Sequence, residues 1–299
     1  MAATLPHAIR LKLEQALGQW RHWQCRPPLP GAPHIERPLT AGHSNWSVLV
    51  GAAGRRFVVR IDGIQPAANG IHRQGEWHAL QAAHSAGLAP APRYFNPELG
   101  ALVCDYLPPD EEQTVDLKDL AQLLRRIHQL PARHHRLNLA ERVARYEKLL
   151  ARDYPERQRR LRPFSDTVRR QLQLCTAKAR PRVLCHNDLL QANRLYSGGR
   201  IYALDWEYAA MASPWHELAV VTCGDAMARD EQEILLSRYL QRPPSDAEWL
   251  LLQRHACVYR YLELAWYLAQ ERQALGAEEL ADRESQLAQL VQQLNRGNY

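Results

Sequence analysis

Val183–Tyr208 reads VLCHNDLLQANRLYSGGRIYALDWEY, and the rest of the chain is organised around it. An apolar run, Val183–Cys185, delivers His186-Asn187-Asp188. Asn193 follows, then a Ser197-Gly198-Gly199 turn, then a second apolar run, Ile201–Leu204, that ends on Asp205. Two strands joined by the Gly-Gly turn would gather Asp188, Asn193 and Asp205 around one pocket. Two carboxylates and an amide are oxygen ligands or proton acceptors, a set suited to Mg²⁺ and phosphate chemistry. Phosphoryl transfer to an alcohol needs an acceptor for the hydroxyl proton and hard oxygen ligands for the metal. Asp188 is the candidate proton acceptor, and Asn193 and Asp205 are the candidate metal ligands. His186 would brace the loop from behind. Taken singly, each residue reads as a strand-end or turn-capping group. The spacing of the whole set carries the inference.

His186-Asn187-Asp188 with Asn193 resembles the catalytic loop of the aminoglycoside phosphotransferase and choline kinase superfamily. That pattern is His-x-Asp-x-x-x-x-Asn, then a strand ending in a metal-binding Asp. Asp205-Trp206-Glu207-Tyr208 is similar to the Asp-aromatic-Glu-Tyr of choline, ethanolamine and thiamine kinases. It is less similar to the Asp-x-Gly of many aminoglycoside phosphotransferases. The resemblance runs from about Thr40 to about Leu268 and is most specific at the catalytic loop. It implies an α+β, bilobal protein-kinase-like fold with ATP and Mg²⁺ as cofactors. A small N-terminal lobe of antiparallel sheet plus helix would cover the nucleotide, and a larger, mainly helical C-terminal lobe would carry catalysis and substrate. The corresponding division is 1–36 for a leading helix and linker, 37–107 for the N-lobe and 108–299 for the C-lobe.

The 299 residues suffice for two lobes. No apolar run approaches the ~20 residues of a membrane helix. The first residues lack the apolar core and cleavage site of a signal peptide. The six cysteines lie far apart with no C-x-x-C pair, which points to reduced thiols and a cytoplasmic protein. The net charge of +6 comes largely from arginines between Arg152 and Arg182. Such a run reads first as a solvated helix surface, and no nucleic-acid fingerprint accompanies it.

Along the chain, Leu5–Trp20 has helical spacing and Pro27–Gly31 breaks it into a linker. Trp46–Val50 and Arg56–Ile61 read as strands around the Gly51–Gly54 turn. Gly42, Ser44 and Asn45, in a loop that resembles the Gly-x-Ser-Asn of choline-kinase-like enzymes, could lie over ATP phosphates. Arg60 stands where kinases carry a phosphate-binding Lys, and Glu76, on a helix over Ile71–Ala86, is its natural partner. Pro90–Asn96 and Ala101–Tyr106 form a second strand pair. By resemblance, backbone groups of Asp105, Tyr106 and Leu107 would hold the adenine edge. Leucines from Leu117 to Leu130 mark a helix stopped by Pro131, with His128 a structural polar residue on it. Leu137–Leu150 and Arg160–Ala177 read as further helices.

Pro214-Trp215-His216-Glu217-Leu218-Ala219 resembles the family's Pro-x-x-Asp-Leu-Ala, with Glu for Asp. In the helix Trp249–Gln270, Tyr259, Glu263 and Trp266 share a face. An acid among rings could hold a quaternary ammonium or a thiazolium by cation–π attraction, or the rings could simply be core. Glu207, Glu217, Tyr259, Glu263 and Trp266 are therefore the substrate candidates. Ala277–Leu294 reads as a terminal helix.

No P-loop and no Rossmann fingerprint occurs in the sequence. The expected activity is ATP-dependent phosphorylation of a small amino alcohol or hydroxylated cation: choline, ethanolamine or thiamine. An aminoglycoside or sugar kinase on the same fold is the alternative. A non-catalytic kinase-like scaffold for an anionic partner is the alternative of another class. Intact Asp188, Asn193 and Asp205 argue against the scaffold. The expected partner is a small-molecule alcohol, with neither membrane nor nucleic acid.

Overall fold

The β-branched and apolar runs in NWSVLVGA and RRFVVRID form strands buried over most of their length, and the intervening Ala53-Gly54 turn, both residues at positive φ, makes them a hairpin. The computed structural model describes residues 5–39, 45–63, 66–111, 116–176, 181–270 and 275–297. Its elements in chain order are α1 (His7–Gly18), β1 (His34–Pro38), β2 (Asn45–Ala52), β3 (Arg55–Asp62), α2 (Arg73–Ser85), β4 (Pro92–Asn96), β5 (Ala101–Asp105), α3 (Leu117–His128), α4 (Leu139–Asp153), α5 (Pro155–Gln158), α6 (Arg162–Thr176), β6 (Val183–Cys185), β7 (Arg194–Ser197), β8 (Arg200–Ala203), β9 (Ala210–Ala212), α7 (Pro214–Gly224), α8 (Arg229–Leu240), α9 (Asp246–Ala269) and α10 (Ala277–Arg296). The fold is α+β: an antiparallel sheet of five strands precedes a mostly helical part, as expected.

Contacts divide the chain into two units that are not collinear with it: Met1–Thr114 with Asn193–Ala209, and Val115–Ala192 with Ala210–Tyr299. In the first, the sheet order is β1-β2-β3-β5-β4, every pair antiparallel. Val48, Val50, Phe57, Val59, Ile61 and Val103 form one core with Leu13 and Ala16 of α1. Arg60 lies between Val59 and Ile61, so the pleat turns its side chain to the other face. The same unit holds the β7–β8 hairpin, whose Gly198 and Gly199 both have positive φ. Such a two-residue turn matches the twist of the strands. Asp110 fixes it by accepting from the Gly198 and Gly199 amides at 2.8 and 2.9 Å.

This corrects the expected strand pair. The Gly-Gly turn joins Arg194–Ser197 to Arg200–Ala203, whereas Val183–Cys185 pairs with Ala210–Ala212 in the second unit. Asn193 and Asp205 thus flank the hairpin, and Asp188 follows β6.

The second unit is built on α9, whose Cys257, Val258, Tyr261, Leu264, Ala265 and Leu268 are buried in a core with residues of α4, α6 and α10. Burying such side chains stabilises by about 1.5–3 kcal/mol each. α7 is buried from Trp215 to Thr222 without interruption, as a helix enclosed on all sides must be. The arginine-rich stretch is met locally: Arg159 pairs with Glu156, Arg160 with Glu284, and Arg169 with Glu147 and Asp166. Arg157 instead donates to the Leu268 and Gln270 carbonyls. Among the described residues, no helix is long and apolar enough to cross a membrane.

His216 on α7 is 2 % exposed, with the His255 ring centroid 6.1 Å away. Burial, then His255 and Arg142, hold its pKa well below the ordinary histidine value. The fold therefore keeps it neutral, while the unfolded chain takes up a proton below about pH 6.5. Stability present above that pH is lost as the pH falls. We expect a loss of about 1 kcal/mol from this group between pH 7 and 5.5. Denaturant midpoints across that range should fall less steeply in His216→Gln; an unchanged slope would exonerate His216.

Candidate functional site

In the sheet unit the site starts from Arg60 on β3. Its Nη2 donates to Glu76 Oε2 at 2.8 Å, its Nη1 donates to Glu76 Oε1, and Nη1 also reaches Asp205 Oδ1 at 2.5 Å. Glu76 is 1 % exposed. Burial alone would raise its pKa, but Arg60 and Arg73 outweigh it and hold the carboxyl below its ordinary value. The expected ion pair is thus present, with a second guanidinium that the sequence did not announce. Arg73 donates to Asp62 Oδ2 and Oδ1 at 3.1 and 2.6 Å, and to Glu76 Oε2 at 2.6 Å. It also reaches Glu207 Oε2 at 3.1 Å. Asn45 Nδ2 donates to the same Glu207 oxygen at 2.8 Å. Burial, and then Asp205, raise the Glu207 pKa against the opposing pull of Arg60, Asn45 and Arg73.

Four carboxylates (Asp62, Glu76, Asp205, Glu207) here face two guanidiniums, so the cluster is rich in acidic oxygens. The donors are all oxygen, as Mg²⁺ prefers. Asp205 opens a 3₁₀ turn, Trp206–Tyr208, from the left-handed region at φ 57°. A non-glycine residue there is strained, and surrounding contacts must impose it. Arg60 on the carboxylate and the buried Trp206, whose Nε1 donates to the Ala203 carbonyl at 3.0 Å, do so. Asn193 ends a 3₁₀ turn and its carbonyl accepts from Leu204 N–H at 2.8 Å, fixing it against the strand that leads to Asp205. Gly42 and Ser44 lie outside the described residues, and the Asn45 amide is committed to Glu207. The Asp105 and Tyr106 amides donate to the Ala91 and Arg56 carbonyls, and the Asp105 side chain accepts from Arg93.

In the helical unit Asp188 is half-buried, between fully enclosed neighbours. His186 is 0 % exposed, and Asn187 adopts φ 63°. The Asn187 amide donates to Glu217 Oε1 at 2.7 Å, and Glu217 Oε2 lies 2.6 Å from His128 Nε2. His128 Nδ1 in turn lies 2.8 Å from the Tyr239 hydroxyl. Glu217 is wholly buried, so its carboxylate braces the loop and does not face a ligand. That placement removes it from the substrate candidates. His128, Cys185 and Glu217 also bring ligand atoms within 4.8 Å of one another. The His128–Glu217 contact is already a hydrogen bond, so these groups satisfy each other.

On α9, Tyr259, Glu263 and Trp266 are all half-buried, in contrast to the buried residues between them. They share a half-buried face at the edge of the core, against which Trp266 packs. Trp266 packs edge-on to Tyr267 with centroids 4.9 Å apart. Burial, then Glu263 and Asp188, raise the Tyr259 pKa well above its ordinary value, so this face lies in the field of the Asp188 carboxylate. Glu263 is itself held: Arg260 donates to its Oε2 at 2.7 Å and Arg283 stands 3.4 Å from its Oε1.

A family model described as the phosphotransferase enzyme family matches residues 36–252. Protein LicA of Haemophilus influenzae is 24 % identical over 87 residues, 28 % of this chain and 33 % of that protein. The chain thus aligns with about a third or less of the curated relatives it matches. Among solved structures, a choline/ethanolamine kinase family protein from Mesorhizobium loti superposes with TM-score 0.70 at 21 % identity, covering 95 % of this chain and 97 % of that one. Choline kinase LicA from Streptococcus pneumoniae gives 0.70 at 20 %, covering 96 % and 99 %. A spectinomycin phosphotransferase in complex with ADP and spectinomycin gives 0.63 at 12 %, covering 94 % and 98 %. At these identities the likeness is one of fold.

Gly100 makes room for the charged cluster. It has φ +65°, and a Cβ there would stand 2.7–2.8 Å from the Asp62 carboxylate and its Cβ. Gly100→Ala should cost roughly 2 kcal/mol or more, because strain and the displaced Asp62–Arg73 pair add. Urea unfolding midpoints test this, and a wild-type midpoint would show that Asp62 can move without loss.

Proposed function

The chain belongs to the phosphotransferase enzyme family, and on that premise we propose that it transfers the γ-phosphate of ATP to the hydroxyl of a small hydroxylated cation or amino alcohol. Choline, ethanolamine and thiamine are the candidate acceptors. The observation that carries this reading is the half-buried face of Tyr259, Glu263, Trp266 and Tyr267 on α9, with the Tyr259 hydroxyl and Leu190, two residues after Asp188, both within 4 Å of where a Cβ on Gly224 would stand. Rings beside a proton acceptor suit a cation that carries a hydroxyl: the cation sits over the π-face and the hydroxyl meets the carboxylate.

The state of Glu263 narrows the choice. Its Oε2 accepts from Arg260 and its Oε1 lies 3.4 Å from Arg283, so two guanidiniums already meet its charge and weaken it as an acceptor for a further cation. A primary ammonium needs such acceptors, whereas a quaternary ammonium or a thiazolium donates none and relies on the rings. Choline and thiamine are therefore favoured over ethanolamine.

The residues divide the chemistry. Asp188 orients the acceptor hydroxyl and takes its proton. Asn193 and Asp205 would hold Mg²⁺, which when bound neutralises charge on the transferring phosphoryl group. Arg60, held by Glu76, neutralises phosphate oxygens; its planar fork makes it more than a point charge. With the Asp105 and Tyr106 amides engaged in the sheet, the adenine edge would be met by the Asp105 carbonyl and the Leu107 amide.

ADP release from purified protein with Mg-ATP, across choline, ethanolamine, thiamine, aminoglycosides and simple sugars, tests the proposal. Choline or thiamine should stimulate release far above background. Asp188→Ala should lower that rate by roughly 10²–10⁴ while nucleotide binding persists. Stimulation only by an aminoglycoside or a sugar would transfer the acceptor assignment to that class. Full activity in Asp188→Ala would refute the proton-acceptor role.

A further inference from the structure

We infer that Arg73 is a positioning residue for the metal, acting through Glu207. The inference rests on the phosphotransfer reading and assigns a role to a residue outside the motif. Arg73 is the first residue of α2, with His72 capping the helix by accepting from the Gly75 amide at 2.9 Å. A helix N-terminus repels cations, and burial strips a guanidinium of water. Yet Arg73 is 8 % exposed. Only its carboxylate partners make that position tolerable, and they belong to three separate elements. Asp62 ends β3, Glu76 is on α2, and Glu207 is in the turn that Asp205 opens.

The geometry gives each contact a consequence. Two bonds to Asp62 fix the plane of the fork, so Nη1 is left aimed at Glu76 and Glu207 together. The side-chain hydrogen bonds to Glu207 from Arg73 and Asn45 both fall on Oε2. The carboxylate is thereby held through Oε2. Glu76 divides its charge between two arginines, which leaves Arg60 reaching for Asp205. Arg73 thus sets the orientation of one acid and the electrostatic load on the other. A lysine could supply the charge but not the fork.

The test titrates a non-hydrolysable ATP analogue into the full chain by calorimetry, across a series of Mg²⁺ concentrations and without metal. Arg73→Lys, Glu207→Gln and the double variant are compared with wild type. Arg73→Lys should raise the Mg²⁺ needed for half-maximal binding about tenfold, as loss of residues that orient metal ligands does. Metal-free nucleotide affinity should change by less than about twofold, and the double variant should resemble the singles, the non-additivity of a shared path. If Arg73→Lys does not fold, the Arg73→Gln/Asp62→Asn pair removes a cation and an anion together and should give the same Mg²⁺ shift. A wild-type Mg²⁺ requirement in the folded variant, or additive effects in the double, would overturn the inference alone. A wild-type protein that binds no Mg-nucleotide would overturn the phosphotransfer reading and this inference with it.

Discussion

Two guanidiniums taken out of water need carboxylates at hydrogen-bond distance, and much of the sheet unit follows from meeting that need. The desolvation cost is several kcal/mol per ion, and removing one partner of such a pair typically costs about 3–5 kcal/mol. Arg60 and Arg73 are met by acids from β3, α2 and the turn after β8, so strand, helix and hairpin are tied by one network. Hydrophobic burial brings α1 onto the sheet, but it is indifferent to the direction of any one side chain. The charged cluster fixes direction. It also gathers four carboxylates around two guanidiniums, so the network that fixes the fold is the one in which a cation is proposed to bind.

The helical unit solves a related problem with a single acid. Asn187 is held at positive φ, a conformation disfavoured for a side chain with a Cβ. Glu217 stabilises it by taking the Asn187 amide, and His128 keeps the other carboxylate oxygen satisfied. Glutamate in place of the family's aspartate gives one more methylene of reach. The buried α7 that carries Glu217 and the loop after β6 that carries Asn187 are therefore locked to each other by a charge-assisted hydrogen bond, stronger than a neutral one.

What was legible in the sequence follows the range of the interaction. His186, Asp188, Asn193 and Asp205 stood out because local geometry fixes their spacing. Arg60 and Glu76 could be paired because a strand and the next helix are near in sequence. Arg73 did not stand out although Glu76 and Asp62 are near in sequence, because nothing local marks an arginine in a helix's first turn as buried, and its further partner Glu207 lies 134 residues away. β1 escaped notice because HIERP is an exposed edge strand without alternation. α8 did so because its buried residues, Leu235 and Leu236, are adjacent and give no helical period. The Gly-Gly turn was recognisable, but the identity of its strands was not: β6 pairs with β9, which is only three residues long and follows an irregular turn.

Glu263 shows why the type of a residue does not settle its role. An acid on an aromatic face suggests a cation trap, and at the level of sequence the suggestion is sound. With Arg260 and Arg283 at its two oxygens, the carboxylate instead serves to hold an arginine, which itself donates to the Cys223 carbonyl at 2.8 Å. Arg260 thus joins the end of α7 to α9. On the proposed reading the rings would be the recognition surface and Asp188 the anion. A site of that composition would discriminate by shape and charge delocalisation more than by hydrogen bonds. Rejection of an analogue would then rest on π-contact and fit, each a matter of about 1–3 kcal/mol, so related cations that share one hydroxyl would be tolerated.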